Sequence, residues 1–179
     1  MIVSRNSWSQ IHKCILSEFS SGNWGVYNCF NHVDDILNKC GRYLCTIEIN
    51  CPFYQKFDRS PLISIGKLCP NIKNINVNSI KVSKVGIKTI SENCHSIQKF
   101  VLNHGFLRTS NKKVLDVELE NLFYNNRNLS SIAVSNCIIS GKCFLKLNPL
   151  IVTNIKLSVI VIHDQESFYK VSFNCILHF

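Results

Sequence analysis

Leu62-Ile-Ser-Ile-Gly-Lys-Leu-Cys69-Pro-Asn-Ile72-Lys-Asn-Ile75-Asn-Val77 and Ile87-Lys-Thr-Ile-Ser-Glu-Asn-Cys94-His-Ser-Ile97-Gln-Lys-Phe100-Val-Leu102 are two copies of one phrase. Each predicts a short apolar helix, a thiol three residues ahead of an aliphatic, and then the order apolar-x-x-apolar-x-apolar. There the side-chain period falls from that of a helix to the two-residue alternation of a strand. A helix and a strand recurring as one unit bury their apolar faces only by stacking against a neighbouring copy.

The same order recurs on both sides of this pair. Leu44, Ile47 and Ile49 precede it; Leu129, Ile132 and Val134, then Val152, Ile155 and Leu157, follow. The first positions of the five rungs, 44, 72, 97, 129 and 152, are spaced by 28, 25, 32 and 23 residues. Leucine-rich repeats recur at about 20 to 29 residues, so one interval is long and implies an inserted loop. The predicted fold is an α/β leucine-rich-repeat solenoid, a horseshoe segment with right-handed crossovers. It carries about five short parallel strands on its concave side and helices on its convex side.

Between the rungs, Val33, Ile36, Leu37 and Cys40 fall at i, i+3, i+4 and i+7, with Asp34 and Asp35 in the first turn and Lys39 in the last, where each suits the helix dipole. Further helices are predicted over residues 61 to 69, over 85 to 94, and along Leu115, Leu119, Leu122 and Phe123. Residues 51 to 61 read as a loop, and residues 105 to 113 as the insertion that lengthens one repeat. Trp8, Ile11, Ile15 and Phe19 fall near helical spacing and predict an amphipathic helix over about residues 7 to 19. Residues 1–30 then form an N-terminal cap over the open end of the repeats, which occupy residues 31–157. Residues 158–179 depart from the pattern. Val171, Phe173, Cys175, Leu177 and Phe179 alternate as a strand does, so this end reads as an atypical hairpin or as a truncated terminus.

At 179 residues with 46% apolar content, the chain has room for one domain with a substantial core. It contains no apolar run of membrane-spanning length and no signal-peptide core at the N-terminus, so it reads as soluble, cytoplasmic or nuclear, with no membrane partner. Ten cysteines would suit a disulfide scaffold in a smaller chain. Here Cys40, Cys69 and Cys94 recur at one place in the repeat and no Cys-x-x-Cys occurs, which favours reduced, buried thiols acting as small hydrophobes over zinc ligands. The net charge of +9 is concentrated: residues 61 to 115 hold nine Lys or Arg against Glu92 alone. Such a stripe can collect phosphates, yet only Phe100 and Phe106 lie nearby to stack on bases, so nucleic acid is the weaker expectation beside a solvated convex face or an acidic protein partner.

In x-apolar-x-apolar-x strands the apolar pair faces the core and the remaining residues face the other way. That assigns Glu48 and Asn50, then Asn74, Asn76 and Asn78, then Lys99, Val101 and Asn103, then Ser131 and Ser135 to the concave face as the expected partner-binding residues. The same columns include Thr46, Ala133, Asn154, Lys156 and Ser158. Carboxamides both donate and accept hydrogen bonds, which suits an extended protein partner. Solvent-facing strand residues with no ligand are the alternative. No Gly-x-Ser-x-Gly, phosphate-binding Gly-rich loop or His-Glu-x-x-His occurs, so no enzyme, cofactor or metal is expected.

The phrase from Val82 to Leu102, together with Cys69-Pro-Asn-Ile72 and Asn136-Cys137-Ile-Ile-Ser-Gly141, resembles the cysteine-containing leucine-rich repeats of F-box/LRR proteins, in the ribonuclease-inhibitor-like superfamily. The resemblance covers about residues 31–157. Upstream, Val3-Ser-Arg-Asn-Ser-Trp8-Ser-Gln-Ile11 is similar to the tail of an F-box, with Ser4 where a Cys is usual and one extra residue before Trp8. The resemblance implies a substrate-recognition module of a cullin ubiquitin ligase, binding a protein substrate through the concave face. It makes Trp8 and Ile11 the candidates for docking a Skp-type adaptor, although the rest of an F-box is missing from the chain. The alternatives are an interaction scaffold with no ubiquitin role and a basic nucleic-acid-binding surface.

Overall fold

The structure is a computed structural model that describes residues 12–17, 33–50, 60–80, 82–104, 115–135, 137–139, 141–148, 150–158, 161–162 and 177–178. Strand β1 (Lys13–Ser17) comes first, then α1 (Val33–Cys40), β2 (Thr46–Asn50), α2 (Pro61–Leu68), β3 (Asn74–Ile80), α3 (Lys84–Asn93), β4 (Lys99–His104), α4 (Asp116–Asn125) and β5 (Ser131–Ser135). Two-residue strand β6 (Ile138–Ile139) follows, then β7 (Asn154–Ser158), β8 (Val161–Ile162) and β9 (Leu177–His178). The fold is α/β. Seven strands form one sheet in the order β1-β2-β3-β4-β5-β7-β9, every pair parallel, and β6 and β8 form a second, two-stranded parallel sheet.

Chain order equals sheet order, so each helix returns the chain to the edge of the strand just laid down. The registers stack the rungs without slippage. Ile47, Ile75, Phe100, Ile132 and Ile155 form one buried column, and Ile49, Val77, Leu102, Val134 and Leu157 the next. A third column, Leu44, Ile72, Ile97, Leu129 and Val152, fills the turn before each strand. Against these columns lie the apolar faces of the helices: Leu37 of α1, Leu62 and Ile65 of α2, Ile87 and Ile90 of α3, and Leu119, Leu122 and Phe123 of α4.

The helices approach closely because glycines stand at their contacts. A Cβ on Gly66 would come within 2.7 Å of the Ile90 nitrogen, and one on Gly86 within 2.7 Å of the Leu62 Cβ. Ser83 caps α3 by accepting a 3.0 Å hydrogen bond from the Gly86 N–H, and Pro61 opens α2. The interval of 23 residues before the last rung carries no α-helix among its described residues. There Gly141, at φ 97°, starts a 3₁₀ turn over Lys142–Lys146 instead. Its Phe144 stacks on Phe123 at 5.8 Å between ring centroids, filling the volume that a helix fills elsewhere.

At each strand start one carbonyl accepts two successive N–H groups of the next rung. His12 accepts from Cys45 and Thr46, Cys45 from Lys73 and Asn74, Lys73 from Gln98 and Lys99, Gln98 from Ser130 and Ser131, and Ser130 from Thr153 and Asn154. The series begins at His12, which corrects the expected helix over residues 7 to 19: Lys13–Ser17 is a strand in register with Thr46–Asn50. Ile15, counted toward a helical stripe, is 54% exposed on the side away from the core, while Cys14 packs against it. Two-residue alternation with a preformed strand edge outweighs a sparse helical stripe. At the other end β8 and β9 pair parallel with β6 and β7. The expected hairpin falls largely on residues 163–176, outside those described, as do the loops at 51 to 59 and 105 to 113.

Candidate recognition surface

The face of the sheet turned away from the helices carries the odd members of every strand. The registers align them into three rows. The first is Lys13, Thr46, Asn74, Lys99, Ser131 and Asn154; the second is Ile15, Glu48, Asn76, Val101, Ala133 and Lys156; the third is Ser17, Asn50, Asn78, Asn103, Ser135 and Ser158. The expected partner-binding residues Glu48, Asn50, Asn74, Asn76, Asn78, Lys99, Val101, Asn103, Ser131 and Ser135 therefore all share this open face, and each is half-buried or exposed. Trp8 and Ile11 lie outside the described residues. Lys13 and Ile15 join the face unforeseen, because their segment was expected to be helical; the signal that would have found them is Ile11-x-x-Cys14-x-Leu16, which has the order of the other rungs.

The polar atoms of the face are occupied unevenly. On β2 and β3 the carboxamides bond to one another across the strands: Asn74 Nδ2 donates to Thr46 Oγ1 at 3.0 Å, and Asn78 Nδ2 donates to both Asn50 Oδ1 at 2.6 Å and Asn76 Oδ1 at 3.0 Å. Lys13 Nζ lies 2.8 Å from Glu48 Oε1, an ion pair diagonal across β1 and β2. Beyond β3 the pattern changes. Lys99 and Lys156 are exposed, and among the described residues neither has an ion-pair partner. Between them Val101 and Ala133, partners in register, form a small apolar step.

Most of the basic middle of the chain points elsewhere. Lys67 belongs to α2, and Lys84 and Lys88 to α3, where they meet Glu118 at 3.8 Å and Glu92 at 3.7 Å. Lys99 alone of the described lysines in that region is carried by a strand.

Five of the described thiols, Cys40, Cys69, Cys94, Cys137 and Cys143, are buried. Cys40, Cys69 and Cys94 are buried at the helix ends, all without disulfides. Burial pushes the Cys69, Cys94 and Cys137 thiols up to about 12 and Cys143 higher still, so they stay protonated and poorly nucleophilic. In α4 the equivalent position is Asn126, also buried. Its Oδ1 accepts from the Ile97 N–H at 2.8 Å and its Nδ2 donates to the Leu122 carbonyl at 2.9 Å, which joins two rungs. Among the described residues no group of three or more His, Cys, Asp or Glu is placed to hold a metal ion, and no helix is long and apolar enough to cross a membrane. Searches against protein-family models and curated proteins find no match to the chain.

Proposed function

We propose that the chain is a segment of a leucine-rich-repeat solenoid that acts, without catalysis, as a protein-recognition module, and that it belongs to the substrate-binding part of an F-box/LRR receptor of a cullin ubiquitin ligase. The observation that carries this reading is the open face itself: six parallel strands, held in register by buried columns behind them. A regular array of strand side chains spaced by about 4.8 Å in one direction and about 6.6 Å in the other presents a broad, rigid surface with alternating donors and acceptors. Such a surface suits an extended protein segment. It lacks the aromatic platforms that single-stranded nucleic acid stacks on, since the described residues of the three rows include no Phe, Tyr or Trp. On this reading the module works in the cytoplasm or nucleus, where reduced thiols persist.

Affinity purification from a cell lysate tests it, with the native chain compared against a version carrying Asn74→Ala, Asn76→Ala, Lys99→Ala and Asn103→Ala. The expected result is that at least one abundant partner is lost with the fourfold variant, while a Skp-type adaptor and cullin, if held through Trp8 and Ile11, are retained. A partner lost with no adaptor in either sample would favour a scaffold with no ubiquitin role. Identical protein sets from both versions would contradict recognition through this face.

A further inference from the structure

We propose that the half of the open face built by β4, β5 and β7 is where a partner is held, and that it takes an extended acidic protein segment with an aliphatic side chain between its carboxylates. The proposal rests on the recognition reading above and deepens it by assigning the chemistry of the partner.

Occupancy and charge carry the argument. On β1 to β3 the charges cancel within the face, Lys13 against Glu48, and both amide hydrogens of Asn78 are already engaged. A ligand there must break bonds that the protein makes with itself, and each exchange returns little net free energy. Across β4, β5 and β7 the described open-face residues include no acid, and among the described residues Lys99 and Lys156 have no ion-pair partner. Unpaired ammonium groups that no internal partner must release are the ones free to meet an incoming carboxylate.

Geometry then selects the segment. Lys99 stands in the first row on β4 and Lys156 in the second row on β7, two strands on. Strand spacing and rise put their Cα atoms ~12 Å apart along a diagonal of the sheet. An extended chain covers that distance in roughly three to four residues. The diagonal passes beside Val101 and Ala133, the one adjacent apolar pair in the three rows apart from the exposed Ile15. A segment of the form acidic, x, aliphatic, x, acidic would set its aliphatic group on this step while its carboxylates reach the two lysines. Nucleic acid fits less well, because phosphates need no apolar step and bases need stacking partners that these strands lack.

The test selects a random peptide library, about a dozen residues long so that it spans the face several times over, on the full-length chain. Selected peptides are then titrated against Lys99→Glu/Lys156→Glu, against Val101→Thr, against Asn76→Ala/Asn78→Ala, and against Lys39→Glu/Lys67→Glu, which changes the net charge equally on the helices. Val101→Thr keeps the β-branched shape and so guards against a folding artefact. The expected result is enrichment of acidic peptides with an aliphatic centre. Their affinity should fall about tenfold or more with the strand-face charge reversal, several-fold with Val101→Thr, and less than about twofold with the helix-side control. Neutral or basic peptides, or no enrichment, would overturn the proposal. Peptides weakened only by Asn76→Ala and Asn78→Ala would overturn it while leaving recognition through the open face standing; peptides weakened only by the helix-side reversal would remove both. A thymidine oligonucleotide that binds more tightly than any selected peptide, and is released by the Lys99 and Lys156 reversal, would assign the patch to phosphates and also overturn it.

Discussion

Asn78 on β3 has both its amide hydrogens engaged, by Asn50 and by Asn76, whereas two strands later Ser135 stands in the same row in register with Asn103 and Ser158. The backbone under the two positions is the same. The N-terminal half of the face is closed by its own hydrogen bonds and by the Lys13–Glu48 pair, and the C-terminal half holds an apolar step and two lysines that have no ion-pair partner among the described residues. A polar residue on the open side of a repeat is therefore not by itself a binding residue. Whether it is available depends on the residue one repeat away, 28 positions distant for Asn78 and Asn50.

Phe100 lies at the join of the two halves, fully buried beneath both. Phe100→Ala should cost about 3 to 5 kcal/mol, measured by urea unfolding, and should loosen both halves in one transition. Two separate transitions would mean that the halves are independent units.

Raising the pH probes the core under both halves at once. Unfolded thiols ionise near the ordinary 9.0, while Cys69 and Cys94 in one half and Cys137 in the other hold their protons to about 12. Between those values the unfolded state carries fewer protons than the folded one, so stability falls as pH rises from about 9 towards 12. A melting temperature recorded across that window should decline, and Cys94→Val should flatten the decline. Equal slopes for the two proteins would show that Cys94 does not contribute.

Asn126→Ala leaves the buried Ile97 N–H without its acceptor and should cost about 1 to 3 kcal/mol. Asn126→Cys, which restores the residue type of Cys69 and Cys94, should recover little of that loss, because a thiol is a weak acceptor. Full recovery would mean that Asn126 matters only for its volume. The smallest effect compares the halves directly. Asn78→Ala should lower stability by about 1 kcal/mol and Ser135→Ala, in the same row, by less than about 0.5 kcal/mol. The reverse order would abolish the distinction between a closed and an open half.

The repeat was legible wherever burial alone sets residue type. The columns through Ile47, Ile75, Phe100, Ile132 and Ile155 tolerate only apolar side chains, so their spacing prints the sheet directly into the sequence, and the helices at Val33–Cys40, Pro61–Leu68 and Lys84–Asn93 follow the same logic. Strand β1 was missed because Ile11 and Ile15 also satisfy a helical period, and a short segment carries too few residues to separate the two. At Lys142–Lys146 a 3₁₀ turn that starts from Gly141, at φ 97°, stands where the preceding rungs carry a helix, and the apolar spacing alone does not tell the two apart. The members of the open face were legible by alternation. Their occupancy was not, since the bonds that close β2 and β3 join residues a full repeat apart, which periodicity cannot rank.

Photo-crosslinking inside cells tests recognition through the open face most directly. Benzoylphenylalanine is placed in turn at Val101 on the C-terminal half of the face, at Ile15 on its N-terminal half, and at Val85, which is 60% exposed on α3. A covalent protein adduct formed from position 101, and absent or much weaker from 15 and 85, is the expected result. Adducts from position 85 with none from 101 would contradict recognition through the sheet and move it to the helices.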